Sequence, residues 1–111
     1  MHEIEALLND YRDRVPEYSQ AKANRTYLEE FKKSKLAILM KAAEVKGYKT
    51  SAAQEREALA DPEYQQLLLG LQAAIEAEER VRYDMRRIEM QIEIWRTVRA
   101  DERMERKAYA A

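Results

Sequence analysis

The stretch Gly47–Gln66, GYKTSAAQEREALADPEYQQ, carries one of the chain's two glycines and one of its two prolines. Gly47 offers the left-handed conformation with which helices commonly end. Ser51 with Gln54 three residues on fits a capping box, and Asp61 followed by Pro62 is an N-cap side chain ahead of the residue best tolerated in a first helical turn. Glu63 adds negative charge where the helix dipole favours it. The stretch therefore reads as a corner. One long helix stops, a short helix over about residues 52–60 crosses, and a second long helix starts.

Composition agrees with helices on both sides of that corner. In 111 residues, charged side chains make up 37% and hydrophobic ones 46%, with only two glycines and two prolines, a balance that favours long helices laced with charge over a sheet. After Pro62 the residues Leu67, Leu71, Ala74, Glu78, Val81, Met85, Ile88, Ile92, Trp95 and Arg99 recur in alternating steps of four and three, a heptad seam whose polar exception is Glu78. Gly70 costs such a helix only ~1 kcal/mol relative to alanine. At ~1.5 Å per residue, residues 62 to 106 would span roughly 65 Å.

Before the corner the pattern is less regular. Ile4, Leu8, Tyr11, Val15 and Tyr18 make one stripe, and Ala21, Leu28, Phe31, Ile38, Ala42 and Val45 continue it after a phase slip, with LAILM (residues 36–40) as its best-buried part. Pro16 removes a backbone donor and disfavours α geometry at Val15, so a kink or a break is expected there. The expected fold is all-α: an elongated antiparallel hairpin of two long helices with a crosspiece. A single domain, residues 1–111, would hold helices over about 3–14, 17–46, 52–60 and 62–107.

With residues 46 and 62 level at the corner, Arg25 would come level with Tyr83 and within reach of Glu78. Arg25 and Glu78 are therefore expected as a buried polar pair, the kind best attested as a register device. Met90, Ile94 and Val98 form a second apolar row beside Met85, Ile88, Ile92 and Trp95. Together these seven are the candidate interface, covered either by the N-terminal helix or by another chain.

Several chemistries lack their residues. There is no cysteine, and His2 is the lone histidine, next to the initiator. Zinc sites and nucleophile–imidazole triads depend on those groups. No glycine-rich phosphate loop is present, and the Glu76, Glu78, Glu79 cluster reads as a solvated face. The expectation is a non-enzyme without cofactor or metal. No apolar run approaches the roughly 20 residues of a membrane helix, and the acidic MHEIEALLND start is unlike a secretory signal, so the cytoplasm is the expected address.

Net charge is −1 overall but is unevenly spread: −3 over residues 1–21, +5 over 22–49, −5 over 50–80 and +2 over 81–111. Lys32, Lys33, Lys35, Lys41, Lys46 and Lys49, with Arg96, Arg99, Arg103 and Arg106, are thus candidate phosphate contacts for single-stranded nucleic acid. Interleaved acids at helical spacing offer the competing reading of intrahelical ion pairs.

The run YLEEFKKSKLAILMKAAE, continued by TSAAQEREALADPEYQQLLLGLQAAIEAEERVRYDMRRIEMQIEIWR, resembles small helical proteins of tailed phages and prophages encoded among early recombination and replication genes. The resemblance covers residues 27–96. It implies an accessory role near phage DNA metabolism, in the host cytoplasm. The function expected is a helical interaction module that contacts a protein partner or itself, a dimer being favoured. Direct nucleic-acid binding and a small phage scaffold are the alternatives.

Overall fold

A computed structural model describes residues 2–110; of His2 only the backbone is described, so the reading of its side chain lies outside the described residues. Three helices account for nearly all of it: α1 (His2–Val45), α2 (Ser51–Ala60) and α3 (Pro62–Ala110). The protein is all-α, a helical hairpin with a crosspiece, and no strand occurs among the described residues. No helix is long and apolar enough to cross a membrane.

The chain divides into two compact units. One comprises Gln20–Glu78; the other joins the chain through Ser19 to the chain from Glu79.

The corner is built by capping. Gly47 has φ +113°, the Gly47 amide donates to the Glu44 carbonyl at 3.0 Å, and the Tyr48 amide donates to the Ala43 carbonyl at 3.1 Å. This is the Schellman pair that satisfies the last carbonyls of α1. At the next start the cap is Thr50, not Ser51: its hydroxyl accepts from the Ala53 amide at 3.1 Å. Gln54 does not close a capping box but donates its side-chain amide to the Tyr48 carbonyl at 2.9 Å. Thr50 wins because its extended backbone (φ −97°, ψ 150°) is that of an N-cap, while Ser51 is already helical. Asp61 caps α3 as expected, its Oδ1 accepting from the Glu63 amide at 2.8 Å.

Inside the corner Leu39, Ala58 and Tyr64 are buried together, with Leu36, Met40 and Leu68 packed against them. The last turns of α1 thus pack on α2. Lys35 lies opposite Glu63, so α3 begins level with residue 35 and not, as the corner suggested, with residue 46.

Pro16 does not break α1, which runs through it as one helix. The carbonyl left without its donor is that of Arg12; Arg12 and Pro16 are both exposed, so water can take the vacant bond.

The seam of α3 is as expected: from Tyr64 and Leu67 through Arg99 to Glu102, no residue in the four-three pattern is exposed. That of α1 differs. Up to the corner, Ile4, Leu7, Tyr11, Arg14, Tyr18, Ala21, Arg25, Leu28, Lys32, Lys35 and Leu39 are half-buried or buried in a heptad without any slip; Glu29 lies beside it, and Leu36, Met40 and Ala43 are covered at the corner. Leu8 and Val15 are exposed, as are Phe31, Ile38, Ala42 and Val45. The single phase is preserved by exchanging Val15 for Arg14 and accepting lysine at residues 32 and 35, whose aliphatic stems cover apolar surface.

The two possible caps of α2 separate cleanly. Thr50→Ala should destabilise by ~1 kcal/mol, whereas Ser51→Ala should be nearly neutral. Thermal melts of the two variants side by side check this, and equal losses would contradict the assignment.

Candidate functional site

Two kinds of side-chain cluster stand out, one polar and in the seam, one apolar and outside it. In the Gln20–Glu78 unit, Arg25 Nε donates to Glu78 Oε2 and Arg25 Nη2 to Glu78 Oε1 at 3.3 Å, while Nη1 reaches Glu29 at 2.8 Å. The pair is unequally buried: the Glu78 side chain is 8% exposed, that of Arg25 24%. A carboxylate so enclosed depends on its cation, whereas the guanidinium keeps water and a second carboxylate. The corner end of the same unit is held by Lys35 Nζ to Glu63 at 2.9 Å.

In the other unit Arg14 Nε donates to Asp84 Oδ2 at 2.6 Å, and Arg87 donates to Asp84 Oδ1 at 2.7 Å. The bond from Arg14, then that from Arg87, holds the Asp84 carboxyl below the ordinary aspartate range. A groove of about 600 Å³ lies over this group, lined by Arg14, Glu17, Arg80, Val81, Tyr83, Asp84 and Arg87. Tyr11 donates its hydroxyl to Glu89 at 2.8 Å, which raises the phenol above its ordinary value.

The candidate interface residues separate into two groups. Ile88 is fully buried, and Met85, Ile92 and Trp95 are half-buried in the seam. These four are internal packing, not open surface. Met90 and Ile94, each 62% exposed, and Val98, 48% exposed, point outward. They are not beside the seam along their whole length. Met90 follows Ile88 by two residues, ~200° of helix rotation, so it stands on the far side of α3, and the row returns toward the seam only at Val98.

There Glu3, Leu7, Gln91, Ile94, Trp95 and Val98 line a second groove. The Trp95 indole N–H is buried there without a hydrogen-bond partner among the described residues, while Arg99 lies over its ring at 5.3 Å. Tyr83 is exposed on the outer side as well.

Half of the basic candidates are paired with acids of their own unit. Lys33 pairs with Glu30, Lys41 with Glu44, Arg96 with Glu93 and Arg99 with Glu102, each within its own helix, and Lys35 is committed to Glu63. Lys46 and Lys49 in one unit, and Arg103 and Arg106 in the other, are exposed. Lys32, half-buried, occupies the seam. Among the described residues no group of three or more His, Asp or Glu side chains is placed to hold a metal ion.

The chain matches no protein-family model, no curated protein and no solved structure. What the geometry defines is a class, an all-α helical hairpin with a charged seam and an apolar row on the back of one helix.

Two outcomes test the polar clusters. Because Glu78 is the more enclosed partner, Arg25→Leu should lower Tm by several degrees, Glu78→Leu should change it little, and the double variant should recover most of the loss. Equal effects of the two single changes would contradict the asymmetry. Asp84 has a lower pKa folded than unfolded, so its contribution is present above the ordinary aspartate value and is lost as pH falls through the folded one. The Tm of Asp84→Asn should therefore fall less steeply than that of the parent from about pH 5 downward.

Proposed function

We propose that this chain is a non-enzymatic helical module that works by contact with another protein surface. The observation that carries the reading is the exposed row Met90, Ile94, Val98 on α3. Large apolar side chains at helical spacing that stay about half exposed or more on a hairpin helix are only partly used by its seam, and removal of such a surface from water favours association by ~25 cal/mol per Å². On the resemblance of residues 27–96 to small helical phage proteins, its setting is an accessory role in DNA recombination or replication within the host cytoplasm. A small phage scaffold would use the same surface.

Direct binding of single-stranded nucleic acid is the second reading, supported by the exposed Lys46, Lys49, Arg103 and Arg106. It is weakened by the acids that already hold Lys33, Lys35, Lys41, Arg96 and Arg99.

Sedimentation of the full chain over a concentration series, with Ile94→Asp beside the parent, tests the first reading. Association lost in Ile94→Asp, with helix content by circular dichroism unchanged, is the expected result at an exposed position. Labelled single-stranded DNA at about 50 mM salt should show no binding. Tight binding that falls steeply with salt, undisturbed by Ile94→Asp, would replace this reading with the second.

A further inference from the structure

The outer face of α3 has an order that a chance cluster would lack. Counting from Ile94, apolar residues stand four positions away on both sides, Met90 and Val98. Seven positions away stand opposite charges, Arg87 before and Asp101 after. Eleven positions away stand Tyr83 and Glu105, a phenol and a carboxylate. All seven residues are exposed. Steps of four, three and four on each side keep them on one helical face, and the sequence of steps is the same read from either end.

A face symmetrical in spacing and complementary in chemistry about its midpoint is what a two-fold contact between identical antiparallel helices requires. We propose that the partner of this face is a second copy of the chain, with α3 antiparallel to its copy and the two-fold axis at Ile94. Ile94 then meets Ile94 of the copy, Met90 lies beside Val98, and Arg87 lies beside Asp101, each of the last two contacts occurring twice. A parallel pair would set Arg87 against Arg87 and Asp101 against Asp101, so charge selects the antiparallel arrangement.

The charges are free to respond. Asp101 has no ion-pair partner among the described residues. Arg87 is bound to Asp84 and Gln91, but Asp84 is held from the other side by Arg14 and keeps that partner if Arg87 turns to the copy. The proposal rests on the reading that this face is a contact surface, and it adds the occupant and the register.

The chain has no cysteine, so single cysteines report without interference. In the full-length chain, Ile94→Cys should form a disulfide-linked dimer under mild oxidation. Tyr83→Cys, on the same face, would sit ~33 Å from its own copy in the antiparallel register and should not cross-link, whereas a parallel pair would bring the two copies together. Asp101→Arg should weaken the dimer about tenfold or more by setting arginine against Arg87, and adding Arg87→Asp should restore it. Circular dichroism of each variant establishes that the helices are intact.

Cross-linking at both positions would mean a parallel pair and would overturn the proposal. So would a dimer that is lost on Ile94→Asp yet fails to cross-link through Ile94→Cys, although the contact-surface reading would then stand. A chain that stays monomeric at every concentration overturns the self-pairing outright.

Discussion

A carboxylate at a seam position of a helix pair has to be met by a cation, and Glu78 is met by Arg25. Leucine pairs at that level would tolerate sliding by a turn, because one apolar contact is much like the next. An enclosed Glu78 tolerates only those positions of α1 that bring a guanidinium to it. Nearer the corner Lys35 meets Glu63, but that carboxylate is 68% exposed and the pair only marks the register; there α3 starts level with residue 35, and the buried Leu39, Ala58 and Tyr64 hold the last turns of α1 against α2. Arg14 and Asp84 repeat the device in the other unit.

This use of charge explains how much could be read without coordinates. The corner was legible to within a residue because its signals are local: a positive-φ glycine, an N-cap at Asp61 and a proline in the first turn. The seam of α3 was legible because all but a few of its positions are apolar. The seam of α1 was not. Arg14 and Lys32 occupy it beside Arg25, whose place was expected, while Leu8, Val15, Phe31 and Ile38 lie outside. A rule that assigns apolar residues to the inside then finds the wrong phase and invents a slip to reconcile the ends.

Pro16 is a related case. Its sequence signal is a helix breaker, but at an exposed position water can meet the hydrogen-bond part of the cost, and the helix carries the steric part without breaking. The candidate site was legible in part for the same kind of reason. Exposure of Met90 and Ile94 follows from spacing against Ile88 and Ile92, and the symmetry about Ile94 is written in the sequence. It carries meaning only once the structure shows which face of α3 is turned out.

Not every exposed apolar residue argues for a partner. Leu8 and Val15 follow directly after the seam residues Leu7 and Arg14, and Phe31 and Ile38 directly precede Lys32 and Leu39. Side chains in those flanking positions shield the seam from water while remaining partly wet, and antiparallel helix pairs commonly use them so. Met90 cannot be explained that way, since on the far side of the helix there is no seam to shield, and Ile94, although it borders the groove beside Trp95, is still 62% exposed. Glutamate or lysine there would preserve the fold equally well and improve solubility. Apolar side chains retained where the hairpin gains little from them, and flanked by unlike charges at equal distance on either side, have the composition of a contact surface with its own register.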